Sequence, residues 1–202
     1  MSSFFGHSLA AIGVYSLTKT KSPESKSIFR IFWLLWLIIV ASAPDLDYLV
    51  KFLHSSNNQG VRVTHSLLFC LVLPVITITV LVLFGIRRRQ LTRYSEQLFL
   101  VAFSHLVLDL LVGVTPLPLL FFFSKHQFKL PWGILPSAGS PDLYNYYFYR
   151  NLLIEMGVLV PLLLTLLLIR HSKAFRLKEV LSSVFFISIS VYFMNYAYNL
   201  LR

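Results

Sequence analysis

Six polar side chains stand at or near the ends of apolar runs in this chain, and their types are those that bind transition metals. They are three histidines and three aspartates: His7, Asp45, Asp47, His65, His105 and Asp109. Imidazole nitrogen combined with carboxylate oxygen suits Zn²⁺ first, then Mn²⁺ or Fe²⁺, whereas an all-oxygen Mg²⁺ or Ca²⁺ site needs no histidine. The set therefore indicates hydrolysis by water that one or two divalent ions activate.

The pair His105 and Asp109 gives the strongest signal. The two residues are four apart in FSHLVLDLL, so they project from one helix face and can contact one ion. A carboxylate inside an apolar helix is costly and usually marks function. The other positions have ordinary readings: PDLD ends a helix, Thr64 or Ser66 caps the next helix, and His7 is interfacial. Several such coincidences at one membrane face favour a common site.

The composition predicts an all-α, polytopic membrane bundle with residues 1–202 forming a single domain. Of 202 residues, 56% are hydrophobic and only 13% are charged, which leaves too little polar surface to cover a soluble globule. The net charge of +10 comes from basic residues in short loops. There they set topology and meet lipid head groups, so nucleic acid is excluded as a partner.

The apolar segments predict five or six helices. They are residues 4–17, 28–43, 66–86, 97–112, 152–169 and 180–201, the fourth with a Pro-interrupted extension to 123. A bilayer core about 30 Å thick needs about 20 helical residues, so the longer segments span easily and the shorter ones marginally.

Basic residues alternate between the loops and predict the orientation. The basic-rich loops carry Lys19, Lys21, Lys26, Arg30, then Arg87, Arg88, Arg89, Arg93, then Arg170, Lys173, Arg176, Lys178. The positive-inside rule then places 44–65, 124–151 and the N-terminus on the extracytoplasmic side, with LYNYYFYR (143–150) as an aromatic belt. The candidate ligands fall at head-group depth on that side, which favours a phospholipid or an isoprenoid-phosphate ester as substrate.

Specific roles follow from this placement. A bend after Pro44 must turn both Asp45 and Asp47 inward, Asp47 bridging the metals or acting as base. Arg62 receives the negative charge of the substrate. For Glu155 the sequence leaves two readings open, a pair with Arg150 or Arg62 and a role in the site.

The remaining reactive side chains are expected to have no part in the site. Cys70 is a small core residue, and His54, His126 and His171 are solvated loop residues.

The motifs resemble those of the YdjM-type family of predicted membrane-bound, metal-dependent hydrolases. The matching stretches are Gly6-His7, PDLD, Thr64-His65-Ser66, SHLVLD with Gly113 and Pro116, and KLPWG ending near residue 133. The resemblance implies a phosphoesterase-like hydrolase of the bacterial cytoplasmic membrane, and the His/Asp pattern is more distantly similar to zinc-dependent phospholipase C enzymes. In two places this chain departs from the family: Gly60 replaces a usual histidine with Arg62 shifted by one position, and Tyr48 stands where histidine is common.

Two other function classes stay open at this stage. A metal or proton transporter would need polar residues that continue to the opposite face, and the cytoplasmic halves of 66–86 and 152–169 are nearly all aliphatic. A non-catalytic scaffold would use the metal as a structural staple. The oligomeric state is not predicted.

Overall fold

Six α-helices make up most of the part of the chain that the structure describes. The computed structural model describes residues 1–18, 27–48, 61–86, 88–124, 126–138, 144–172 and 176–200. The helices are α1 Phe4–Thr18, α2 Ser27–Ser42, α3 Leu67–Leu83, α4 Arg88–Val112, α5 Tyr146–His171 and α6 Leu177–Tyr198. The expected all-α fold class is confirmed, and in the described ranges pairing between extended segments is limited to one isolated bridge, Leu117 with Phe128.

Among the described residues, four helical segments are long and apolar enough to cross a membrane. They are α4, α5, α6, and α2 taken with the turn that follows it, Ile28–Asp47. The helix α3 is equally apolar but has 17 residues, below the roughly 20 that a bilayer core requires. The protein is therefore an integral membrane protein.

The helix α1 lies at the centre of the bundle. It packs against α2, α4 and α5, while α3 packs on α4 and α6 packs on α5. The beginnings of α1, α3 and α5 and the ends of α2 and α4 meet at the same end of the bundle. Polar side chains at five helix termini are thereby gathered into one place.

A separate apolar cluster fills the bundle away from that end. It consists of Ala11, Trp33, Leu37, Val40, Ala41, Leu98, Val101 and Ala102. Trp33 of this cluster also makes a polar contact. Its indole N–H donates to Gln97 Oε1 at 2.6 Å, and Gln97 Nε2 donates to Thr18 Oγ1 at 2.8 Å. These polar groups are buried with their hydrogen bonds made, as an apolar interior requires.

Two helices begin at least six residues earlier than the apolar runs predict. The helix α4 begins at Arg88 rather than 97, and α5 begins at Tyr146 rather than 152. Arg88, Arg89 and Arg93, expected in a loop, thus belong to helical turns. Arginine is a good helix former whose long side chain reaches water from the end of an apolar helix, so hydropathy alone underestimates such helices. Other predicted features lie outside the described residues: Lys19, Lys21, Lys26, His54 and Gly60.

The helix α4 ends at Val112, where the apolar run of the sequence predicts, and Gly113 follows it, ahead of the TPLP stretch of residues 115–118. Its φ is 64°, a left-handed conformation that glycine adopts without strain, and a Cβ there would collide with the Trp132 carbonyl. The following segment doubles back, with Leu117 and Phe128 exchanging two hydrogen bonds of 2.8 Å. The Leu67 N–H donates to the Leu119 carbonyl at 3.0 Å, which ties this hairpin to the beginning of α3.

Candidate metal centre

Two histidine nitrogens face each other at the polar end of the bundle. His65 Nε2 lies 3.2 Å from His105 Nε2. His105 Nδ1 lies 2.7 Å from the Ala41 carbonyl, which can only accept, so Nδ1 carries the proton and Nε2 has a lone pair. His65 Nδ1 contacts Thr64 Oγ1 at 2.9 Å, and that hydroxyl donates to Asp47 Oδ2 at 3.2 Å, which gives His65 the same tautomer. Two facing lone pairs repel unless a cation lies between them.

Two carboxylates complete the surroundings of these nitrogens. Asp109 Oδ2 lies 3.2 Å from His65 Nε2 and 3.4 Å from His105 Nε2, and Asp45 Oδ1 lies 3.5 Å from His65 Nε2. Two donor atoms bound to one tetrahedral Zn²⁺, each about 2.0–2.1 Å from the ion, are about 3.3 Å apart. The spacing of His65 Nε2, His105 Nε2 and Asp109 Oδ2 therefore fits a single coordination sphere, and Asp45 Oδ1 lies beside it.

His7 approaches the same two carboxylates from the other side. Its Nε2 lies 3.6 Å from Asp45 Oδ2 and 3.7 Å from Asp109 Oδ1, and its ring stacks on His105 with centroids 4.0 Å apart. The ring is completely buried, and among the described residues neither of its nitrogens has a hydrogen-bond partner. An unsatisfied buried imidazole is costly, and a bound cation would supply the missing partner.

Five of the six predicted ligands thus converge. His7, His105 and Asp109 form one group of possible metal ligands, and Asp45, His65 and His105 form a second. The ligands come from α1, the turn after α2, the turn before α3, and α4.

The model of the YdjM inner membrane protein family matches residues 1–197. The chain belongs to the YdjM inner membrane protein family. The match extends through the last third of the chain, beyond the motif stretches, and no curated protein and no solved structure matches it.

Asp47 contacts an arginine rather than the histidines in this YdjM-family chain. A 3₁₀ helix, Ala43–Tyr48, contains Pro44 and turns both aspartates toward the site, as the expected bend requires. Asp47 then accepts from Arg62 twice, from Nε to Oδ2 at 2.7 Å and from Nη2 to Oδ1 at 2.5 Å. Its assignment as bridge or base stays a prediction, as does the substrate-binding role of Arg62.

Thr64 connects this ion pair to a ligand. Its hydroxyl spans from Asp47 Oδ2 to His65 Nδ1, and the cap of α3 is instead Ser66, which accepts from the Phe69 N–H at 3.3 Å. Partners of this kind fix the orientation and tautomer of a ligating histidine. Of the two residues that the sequence offers as the cap of α3, Ser66 caps the helix and Thr64 orients His65.

The charges of the site call for a cation. With Asp47 paired to Arg62, the carboxylates of Asp45 and Asp109 face three imidazoles, and buried charge is costly unless it is compensated. Burial disfavours the charged form of His65, yet the hydrogen bonds that a protonated Nε2 would donate to Asp109 and Asp45 outweigh burial and raise its pKa. The site attracts positive charge, which a divalent ion supplies without a proton.

The first residues of the chain were not predicted to contribute. The Ser2 N–H donates to Asp109 Oδ1 at 2.8 Å, while the Ser2 hydroxyl and the Ser3 N–H both donate to Glu155. The expectation that Glu155 pairs with Arg150 or Arg62 is thus replaced by contacts with Ser2 and Ser3. Only the isolated carboxylate within an apolar run hinted at this, because the partners are more than 150 residues away in sequence.

Cys70, His126 and His171 belong to neither group of possible metal ligands. Cys70 is buried within α3, His126 is exposed, and His171 is exposed at the end of α5, where Nδ1 contacts the Leu167 carbonyl at 2.8 Å.

Proposed function

We propose that this protein is a metal-dependent membrane hydrolase whose ions are held by His7, Asp45, His65, His105 and Asp109. One observation carries the proposal: the Nε2 atoms of His65 and His105 face each other at 3.2 Å with both Nδ1 protons already engaged. With both Nε2 atoms unprotonated, such an arrangement is favourable around a metal cation. Zn²⁺ suits the mixed nitrogen and oxygen donors, with Mn²⁺ or Fe²⁺ as alternatives.

The donor set has room for two ions. Each carboxylate directs one oxygen toward His7 and the other toward His65, so Asp45 and Asp109 can be shared. One ion would then be held by His65, His105 and the two aspartates, and the other by His7 and the same aspartates. The second has only three protein ligands, and an incomplete set of protein ligands is typical of catalytic rather than structural sites.

Bound ions at such a site activate water and stabilise a phosphoryl group at the same time. The exposure of the ligand side chains indicates where water and substrate would enter. Asp45 is the most exposed ligand, with 23% of its side chain accessible, so water and substrate would enter on its side. Arg62 Nη2 lies 3.5 Å from Asp45 Oδ1 and would present positive charge at that entrance.

A lipid phosphoester is the substrate class that fits this entrance. Leu46, next to Asp45, is exposed, and the site lies at helix ends, where head groups would meet a spanning bundle. The hairpin joined to α3 carries the exposed side chains of Phe122 and Phe123, which suit an interface with acyl chains. A lipid would therefore reach the ligands from the bilayer side.

The interior of the bundle argues against transport. Beyond the ligands lie Leu37, Val40, Val101 and Ala102, all buried and apolar. An ion crossing the protein would have to pass this layer without a polar partner, which is costly. The described residues thus favour a site that is open at one end only.

Metal analysis tests the proposal. We expect detergent-purified protein to contain one or two equivalents of Zn, Mn or Fe, and Asp45→Ala and His105→Ala to lose them. Exposed residues supply matched controls, Glu96→Ala on α4 and His171→Ala on α5, and these should keep the metal. A wild type that binds no metal after reconstitution would sink the proposal.

Activity is tested on labelled phospholipids and isoprenoid phosphates in mixed micelles. We expect product that depends on added Zn²⁺ or Mn²⁺ and on Asp45. Chelation separates a catalytic from a stapling metal, because a catalytic site loses turnover before it loses fold. Unfolding on chelation with no turnover on any lipid would instead favour the scaffold.

A further inference from the structure

Glu155 is a fully buried carboxylate in a membrane-spanning helix, and the proposed hydrolysis does not use it. It lies in α5, a helix that contributes none of the five converging ligands. A carboxylate at such a position is expensive, so its contacts must compensate. Those contacts lead to the metal centre.

The partners of Glu155 are the two residues that precede α1. Its Oε1 accepts from the Ser2 hydroxyl and, at 3.0 Å, from the Ser3 N–H. The segment is also fixed from another side, because the Ala138 N–H donates to the Met1 carbonyl at 2.9 Å. Residues 1–3 are thereby held across the polar end of the bundle.

Each serine passes this fixation on to a candidate ligand. The Ser2 N–H donates to Asp109 Oδ1 at 2.8 Å, which sets the rotation of that carboxylate. The Ser3 hydroxyl accepts from the Gly6 N–H at 3.1 Å, and the Ser3 carbonyl accepts from the His7 N–H at 3.1 Å. Ser3 therefore fixes the first turn of α1, and with it the position of His7 relative to the other candidate ligands.

Gly6 shows how closely Glu155 approaches α1. A Cβ added at Gly6 would overlap the Glu155 carboxylate and the Ser2 hydroxyl. The Gly-His pair of the sequence is explained by this contact: glycine admits the carboxylate, and the histidine beside it faces the site.

We propose that Glu155 is a positioning residue of the metal centre, orienting Asp109 through Ser2 and His7 through Ser3. The inference rests on the proposed function, since it presumes that these ligands bind metal. Hydrogen-bonded partners of ligands typically account for about 10- to 100-fold in metal affinity. Loss of Glu155 should therefore weaken metal binding by a factor in that range.

Competition with a chromogenic chelator measures the affinity, and the absorption spectrum of Co²⁺-loaded protein reports ligand geometry. We expect Glu155→Ala to bind Co²⁺ and Zn²⁺ about 10- to 100-fold more weakly, with an altered Co²⁺ spectrum. Glu155→Gln should recover most of the affinity, because its amide oxygen still accepts from Ser3. The control is Ser190→Ala, which removes a buried hydrogen bond to the Val158 carbonyl of the same α5 without touching the site.

A second pair of variants keeps the test decisive if Glu155→Ala fails to fold. Ser2→Pro removes the N–H that contacts Asp109, whereas Ser2→Ala keeps it and loses only the hydroxyl. We expect Ser2→Pro to bind metal at least 10-fold more weakly than Ser2→Ala. Wild-type affinity in both Ser2 variants, or wild-type affinity and spectrum in Glu155→Ala, would overturn the positioning role while leaving the hydrolase standing. A wild type without metal would overturn both.

Discussion

Arg62 holds Asp47 through two buried hydrogen bonds, Nε to Oδ2 at 2.7 Å and Nη2 to Oδ1 at 2.5 Å. The same Oδ2 accepts from Thr64, whose hydroxyl contacts the ring of His65. A planar guanidinium bound at two points fixes the carboxylate in orientation as well as position. The ion pair therefore acts on the candidate metal centre indirectly, by holding Thr64, which orients the candidate ligand His65.

Removing Asp47 should destabilise the protein strongly. In Asp47→Ala the buried guanidinium of Arg62 loses both of these bonds, and breaking a buried pair from one side costs about 3–5 kcal/mol. We expect the free energy of unfolding in detergent to fall by that amount, and the double variant with Arg62→Ala to recover part of it. A cost as small as that of the exposed Glu96→Ala would contradict the buried pair.

Thr64→Val and Ser66→Ala should separate ligand orientation from helix capping. The first removes the hydroxyl between Asp47 and His65, and we expect about 10- to 100-fold weaker metal binding. The second removes the cap of α3 and should cost about 1 kcal/mol of stability with metal affinity retained. Chelator competition and thermal unfolding, measured on both variants, check this. Equal loss of affinity in the two would show that only stability matters.

The two glycines with positive φ should differ in their tolerance of alanine. Gly85→Ala meets nothing within 4 Å and should cost only the left-handed conformation, about 1–2 kcal/mol. Gly113 lies one helical turn beyond Asp109. Gly113→Ala has the same cost of the left-handed conformation, and its Cβ also collides with the Trp132 carbonyl. We expect a larger drop in melting temperature and a lower metal content for Gly113→Ala. Matching behaviour of the two variants would argue against the close packing at the end of α4.

Gln97→Leu should lower stability without touching the site. The substitution leaves the Trp33 indole N–H and the Thr18 hydroxyl without their Gln97 bonds inside the bundle. The buried indole N–H is left without an acceptor, which costs about 1–3 kcal/mol, whereas the Thr18 hydroxyl still donates to the Val14 carbonyl. We expect a lower unfolding free energy with unchanged chelator-competition affinity, and a loss of metal in the folded variant would refute the separation of this network from the metal centre.

The sequence was informative about the centre because its ligands have strong local signals. His105 and Asp109 share a helix face by spacing alone, and Asp45 and His65 sit where an apolar run ends or begins. In a bilayer every spanning helix begins and ends at a membrane face, so polar residues at helix ends are confined to two levels. The convergence of ligands could be anticipated from this restriction.

The composition of the sequence and the lengths of its apolar runs determined an all-α membrane bundle. The sequence also supplied the residue types of a candidate metal site. The tertiary structure alone decided which carboxylate faces which partner: Asp47 turns to Arg62, Asp45 to the histidines, and Glu155 to Ser2 and Ser3. Helix periodicity is a local property that any short window reveals. The contact between Ser2 and Glu155 joins residues 153 apart, and only the packing of α1 against α5 brings them together.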